Sequence, residues 1–123
     1  MTELQKAIAY KNSFKAYQIV QYFADNPKDN PIFKTIPILL SFFTKTILLH
    51  SHGKISDDDI KKTLGLGYYG VQDYKAAARN YSPDKLMSIV SWLREANTKA
   101  IGIDNHSIEH GELLKELIFK ILH

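Results

Sequence analysis

Hydrophobic residues recur every three or four positions along nearly the whole chain, with polar residues between them. This spacing places the apolar side chains on one face of an α-helix. No stretch alternates strictly between apolar and polar residues, which is the pattern of a half-buried strand. The sequence therefore predicts an all-α fold, in which long-range strand pairing is unnecessary.

Polar and turn-forming residues interrupt this pattern and divide it into a bundle of about six or seven helices. Ser56 precedes three aspartates and Ser82 precedes Pro83, and both arrangements are typical helix starts. Asn30 and Pro31 predict a further start, with Asn30 as the cap and Pro31 as the first helical residue. The predicted helices cover about residues 2–10, 13–24, 31–50, 57–64, 69–80, 83–101 and 106–122.

The segment from residue 31 to residue 50 is apolar on almost every side. A helix of this kind belongs at the centre of a bundle. Because Lys34, Pro37 and Lys45 interrupt its apolar run, we interpret it as a core helix and not as a membrane span.

Length and composition fit one domain with one hydrophobic core. The 123 residues are 45% hydrophobic and 24% charged, as in ordinary globular proteins. The absence of cysteine excludes disulfides and thiolate metal sites, and is compatible with the cytoplasm, where we expect the protein to act. The N-terminal stretch is too polar for a signal peptide. A net charge of +3 is too small to predict nucleic-acid binding without a clustered patch.

The stretch HSIEH, residues 106–110, matches the zinc-binding pattern H-x-x-E-H. His106 and His110 would supply two ligands, but catalytic zinc needs three, and Glu116 lies too far along the same helix to close a tight site. Since Ile108 is the only apolar residue of the pattern, we expect this end of the helix to face water. We therefore predict no metal site.

The stretch GLGYYG, residues 65–70, matches the dinucleotide pattern G-x-G-x-x-G. That pattern requires a strand before it, whereas the preceding segment here is predicted to be a helix. A helix C-cap and a tight turn explain the glycines better. We therefore predict no bound nucleotide or other cofactor.

Residues 58–79 also have the outline of a DNA-binding helix-turn-helix. The second of these helices has Asp73 near its N-terminus, and its first cation is Lys75. An aspartate faces a phosphate backbone unfavourably, and two packed helices of any bundle give the same outline. A helix-turn-helix-like DNA-binding protein remains the alternative interpretation.

Residues 73–103, followed by GELLKELIFKIL, resemble the C-terminal domain of the delta subunit of bacterial DNA polymerase III, the clamp-loader family. The family's turn after an Ala-rich helix is matched by Arg79, Tyr81 and Ser82. Earlier segments agree in order, so the resemblance covers nearly the whole chain. The matches in the two helices that follow the turn are Leu86, Leu93, Glu95, Ala96 and Lys99, and then Leu113, Leu114 and Leu117.

Two residues depart from the family pattern, and the upstream domains are missing. Asn97 replaces an aspartate, which puts any ion pair from that position in doubt, and Pro37 is unusual within the long helix. The resemblance implies that residues 1–123 form a single helical domain, the C-terminal fragment of a longer chain, with a fold like that of the clamp-loader collar.

The resemblance also implies a role in assembly. The family's C-terminal domains pack beside those of the delta-prime and tau/gamma subunits in a collar, while ATP bound by tau/gamma subunits drives loading of the sliding clamp in DNA replication. We therefore expect no enzyme activity in this fragment, although the parent complex is the DNA-directed DNA polymerase III holoenzyme. We expect the sliding clamp and DNA to be reached only through that complex, and no membrane to be involved.

Four large side chains lie outside the clearest core stripes and are candidates for a partner interface. Aromatic residues at a protein surface commonly anchor such interfaces. The alternative for each residue is that it completes the core of a small bundle. The four candidates are Tyr68, Tyr69, Trp92 and Phe119.

Overall fold

The computed structural model describes residues 2–66, 70–103 and 108–123. These residues form seven α-helices and no β-strand, which confirms the predicted all-α bundle. The helices are α1 (Thr2–Ala9), α2 (Ser13–Asp25), α3 (Ile32–His52), α4 (Asp57–Leu64), α5 (Val71–Asn80), α6 (Pro83–Ile101) and α7 (Ile108–Leu122).

Side-chain caps and a glycine fix several of the helix boundaries. The Ser56 hydroxyl accepts a hydrogen bond from the Asp59 amide at 3.2 Å, and the Ser82 hydroxyl accepts one from the Lys85 amide at 3.1 Å. Each bond satisfies an amide at a helix start that has no partner within the helix. At the end of α4, Gly65 has a left-handed conformation with φ of 66°. These ends confirm the caps predicted from the sequence.

The start of α3 differs from the prediction. Pro31 is the N-cap and has an extended conformation, so that Ile32 is the first helical residue. Asn30 does not cap the helix, because its side-chain amide donates instead to the Asn26 carbonyl at 3.3 Å. The Pro31 carbonyl accepts from the amides of Lys34 and Thr35, at 2.9 and 3.2 Å. The side chain of Asn30 thus stabilises the turn before α3 and does not cap the helix.

Helix α3 lies at the centre of the bundle and contacts α4, α5, α6 and α7. Its length and mean hydropathy of 1.6 would suffice to cross a membrane, yet 44% of its most apolar 18-residue window is buried within the bundle. Pro37 is exposed. A proline has no backbone amide to donate to the carbonyl one turn earlier, and on this side of the helix water can satisfy that carbonyl. The buried residues recur every three or four positions: Ile32, Thr35, Ile36, Leu39, Phe42, Phe43, Thr46 and Leu49.

The other helices pack against this centre or against one another. Helix α2 packs along α7, α3 packs along α6, and α6 in turn contacts α7. Helix α1 bridges α2 and α5. Buried hydrophobic residues of the N-terminal and C-terminal helices belong to one core.

Tyr81, between α5 and α6, ties α1 to the rest of the bundle. Its side chain is 1% exposed, and its hydroxyl donates to the Ile8 carbonyl at 2.7 Å. The ring meets Phe43 of α3 edge-on, with 5.9 Å between ring centroids. Burial raises the pKa of the Tyr81 hydroxyl well above its usual value, because a phenolate would lose its hydration there.

Two further hydrogen bonds hold the same corner. The side-chain amide of Asn80 donates to the Ala9 carbonyl at 2.9 Å, so that adjacent residues satisfy two carbonyls at the end of α1. The Tyr81 carbonyl accepts from Nε2 of His50 on α3 at 3.0 Å. Three helices, α1, α3 and α5, therefore meet at one short connection.

We expect Tyr81→Phe to lower the free energy of unfolding by about 1–3 kcal/mol, because the Ile8 carbonyl would be left buried without a partner. Urea denaturation measures this change. The matched control is Tyr22→Phe, since Tyr22 is 60% exposed and should shift stability by less than about 0.5 kcal/mol. Equal effects of the two substitutions would contradict the role given to the Tyr81 hydroxyl.

Gly111 permits close contact between α7 and α2. A Cβ atom at this position would lie 2.8 Å from the Cβ of Ala24 and 3.2 Å from its Cα. Distances this short force atoms to move, and a Cα atom cannot move without its backbone. The two helices can therefore approach this closely only because residue 111 has no side chain.

We expect Gly111→Ala to destabilise the protein by about 1–3 kcal/mol through overpacking, although alanine favours helix formation by roughly 1 kcal/mol over glycine. Ala24→Gly in the same chain makes room for the new methyl group. A double-mutant cycle by urea denaturation should therefore find the double variant more stable than the two single effects predict. A stabilised Gly111→Ala variant would mean that α2 and α7 are not in contact at this point.

Candidate functional site

Phe119, one of the predicted interface residues, lies on the outer face of α7. It is 56% exposed, whereas its neighbours Leu117 and Ile118 face the core. Its ring stacks on the ring of His123, with 4.4 Å between centroids and 27° between planes. Phe119 therefore presents most of its ring to solvent.

Trp92, a second predicted residue, lies between α6 and α7. It is half-buried and packs against the hydrophobic core. The amino groups of Lys85 and Lys120 lie 5.1 and 5.8 Å from the centre of its ring, within the range of cation–π attraction. Lys85 also donates to the Lys120 carbonyl at 3.2 Å. Much of the Trp92 ring is thus used in joining the two helices.

The other two predicted interface residues, Tyr68 and Tyr69, lie outside the residues that the structure describes. The sequence analysis also missed exposed aromatic residues on α2, where Phe14 is 80% exposed and Tyr22 is 60% exposed. Helical geometry could have identified them, because both lie away from the buried stripe of Ala16, Val20 and Phe23.

Phe14 and Phe119 belong to one exposed group of rings that spans α2 and α7. The Tyr17 hydroxyl lies 3.1 Å from Nε2 of His123, which in turn stacks on Phe119. Phe14 is three residues before Tyr17 and is its neighbour on the helix surface. We refer to Phe14, Tyr17, Phe119 and His123 as the aromatic surface.

This surface has the composition of a partner-binding site. Rings with few rotatable bonds lose little entropy when they are covered, and for this reason aromatic residues are enriched in protein interfaces. The tyrosine–histidine contact joins the end of α7 to α2, and Phe14 and Phe119 remain exposed. The aromatic surface is therefore the best candidate functional site among the described residues.

The zinc-like pattern has a structural explanation at His110. We expected this end of α7 to face water, which is correct for Ile108, 83% exposed, but wrong for His110, only 5% exposed. Nε2 of His110 donates to the Ala100 carbonyl at 3.0 Å, and its ring meets Phe33 edge-on at 5.5 Å. The histidine joins α7 to the end of α6 and to α3, and a pattern based on chain spacing could not reveal these contacts.

The remaining members of that pattern do not form a metal site among the described residues. His106 lies outside them, and within residues 2–66, 70–103 and 108–123 no three histidine, aspartate or glutamate side chains come together as metal ligands. His50, near the C-terminal end of α3, is half-buried and bonded to the Tyr81 carbonyl.

The two described glycines of this stretch lie at helix boundaries. Gly65 ends α4, and Gly70, with φ of 126°, precedes α5, while Gly67 lies outside the described residues. In the helix-turn-helix interpretation Lys75 would be the first cation of the recognition helix. Its amino group is instead 3.1 Å from the carboxylate of Asp57 on α4. Part of the charge needed for phosphate contact is thus neutralised within the protein.

Comparisons of the chain with protein-family models, curated proteins and solved structures gave no match. Its function must therefore be inferred from its own residues and their arrangement.

We expect Phe119→Ala to change the free energy of unfolding by less than about 0.5 kcal/mol, because the ring is largely exposed. Trp92→Ala should cost about 1–3 kcal/mol, since it removes a half-buried ring between two helices. Thermal and urea unfolding of the two variants test this difference. If Phe119→Ala costs as much as Trp92→Ala, Phe119 is a structural residue and cannot be assigned to partner binding.

Proposed function

We propose that the chain is the assembly domain of a DNA polymerase III clamp-loader delta subunit. In this proposal the bundle packs beside the helical domains of the delta-prime and tau/gamma subunits in a collar, and so supports sliding-clamp loading during DNA replication. The fragment contributes no catalysis of its own, needs no cofactor and acts in the cytoplasm as part of a longer chain.

The observation that carries the proposal is the position of the resembled turn in the fold. Arg79, Tyr81 and Ser82 are the residues that match the family's turn, and they lie at the α5–α6 connection. There Tyr81 binds the end of α1 and Ser82 caps α6. A turn that serves both purposes specifies the arrangement of the bundle, so a match at these residues carries more weight than a match of spaced leucines.

The aromatic surface supports an assembly role. Phe14 is 80% exposed and Phe119 is 56% exposed, on adjacent helices of a small bundle. Exposed apolar groups that are contiguous, and not scattered singly, mark interaction sites on soluble proteins. We assign to this surface the contact with a neighbouring collar domain, with a total buried area of roughly 1,200–2,000 Å².

We expect the chain to assemble when it is mixed with the C-terminal helical domains of the delta-prime and tau/gamma subunits of the same organism. All the domains should be present together, because two neighbours raise the effective concentration of each contact. Native mass spectrometry measures the complex. If this chain stays free while the other domains assemble, the clamp-loader proposal fails.

Two variants locate the contact within that experiment. The double variant Phe14→Ser, Phe119→Ser should weaken assembly about tenfold or more, as expected when central apolar anchors are removed. Tyr22→Ser is the matched control, because it removes an aromatic ring of similar exposure from α2 that does not belong to the aromatic surface.

A gel-shift assay with duplex DNA tests the alternative function, which requires binding that depends on sequence and resists salt.

A further inference from the structure

An open cleft of about 540 Å³ lies between the end of α3 and helices α4 and α5. Its volume is within the range of ordinary ligand-binding sites. The apolar part of its lining consists of Leu49, Ile55, Ile60 and Ala78. Leu49 and Ile60 are buried, whereas Ile55 and Ala78 are half-buried and accessible from the cleft. The cleft shares no residue with the aromatic surface.

The charged residues that line this cleft are basic. They are Lys54, Lys75 and Arg79, with His50 beside them. Lys75 is bound to Asp57, but Lys54 and Arg79 are exposed and have no ion-pair partner among the described residues.

The acidic residues of α4 do not cancel this charge. Asp57 is occupied by Lys75. Neither Asp58 nor Asp59 lines the cleft, and Asp58, two residues before Ile60, lies on nearly the opposite side of the helix from it. Two cations are thus left at the edge of an aliphatic floor.

We propose that this cleft binds an acidic peptide segment of a partner protein, with an aliphatic side chain of the segment on the floor and its carboxylates at Lys54 and Arg79. Arginine binds carboxylates through two parallel hydrogen bonds, and a flexible lysine adds a second positive charge. The aliphatic floor accounts for the hydrophobic residue of the segment, because a purely ionic ligand would leave that surface uncovered. This proposal does not depend on the clamp-loader assignment.

The lining of the cleft favours a peptide over a nucleic acid. Proteins that bind single-stranded nucleic acid stack its bases on aromatic rings. No phenylalanine, tyrosine or tryptophan lines this cleft among the described residues. An aliphatic floor with two free cations instead suits a short segment in which carboxylates flank leucine or isoleucine.

Fluorescence anisotropy with the labelled peptide EDDLLEDD tests the proposal. We expect saturable binding, and we expect the peptide EDDSSEDD to bind at least fivefold more weakly, because its serines cannot cover the apolar floor. The double variant Lys54→Glu, Arg79→Glu should weaken binding of EDDLLEDD about tenfold or more, since both edge contacts become repulsive.

Lys34→Glu is the matched control variant. Lys34 is an exposed lysine of α3 that lies fifteen residues before Leu49, or roughly 22 Å along the helix from the cleft. It changes the net charge by about two units, half the change made by the double variant, and should change peptide binding by less than twofold because it lies far from the cleft. Circular dichroism verifies that the three substitutions at exposed positions leave the fold intact.

Three results would overturn the proposal. The first is no saturable binding of EDDLLEDD, and the second is equal loss of binding in the Lys34→Glu and double variants. The third is tighter binding of a mixed-sequence single-stranded oligonucleotide that the double variant abolishes, which would assign the cleft to nucleic acid.

Discussion

The hydrogen bond from the Tyr81 hydroxyl to the Ile8 carbonyl is the constraint on which the arrangement of this bundle depends. It joins residues 73 positions apart in the chain, and it lies where water cannot compete for either group. A buried hydroxyl without an acceptor raises the free energy of the folded state. The Ile8 carbonyl can accept this bond only when α1 lies against the α5–α6 connection. Because α1 also packs along α2, this one contact positions the N-terminal pair of helices against the rest of the bundle.

The same corner determines which surfaces remain accessible. His50 binds the Tyr81 carbonyl and so holds the end of α3 near α5, and the cleft opens between these two helices and α4. At another side of the bundle, the absence of a side chain at Gly111 brings α7 against α2. Along the same pair of helices, the Tyr17 hydroxyl lies 3.1 Å from Nε2 of His123, which stacks on Phe119. Both surfaces therefore lie beside contacts in the core.

Much of this fold could be predicted from the sequence because local rules decide it. Ser56 and Ser82 cap helices through atoms only three residues away, and Gly65 ends a helix through its own backbone conformation. The error at His110 concerns a residue whose neighbours lie on other helices. His110 is buried because Phe33 and Ala100 surround it, and the local polarity of its segment gives no sign of either.

The candidate sites were less predictable for the same reason. Phe119 could be placed outside the core from the period of α7. Its connection to Tyr17 of α2, through His123, depends on packing between two helices whose first residues are 95 positions apart in the chain, which no local pattern shows. The two surfaces nevertheless use separate helices, α2 and α7 for the aromatic surface and α3, α4 and α5 for the cleft. None of the four residues of the aromatic surface lines the cleft. Under the two proposals, a folded neighbour would occupy the aromatic surface and an extended acidic segment the cleft, so that substitutions can separate the two interactions.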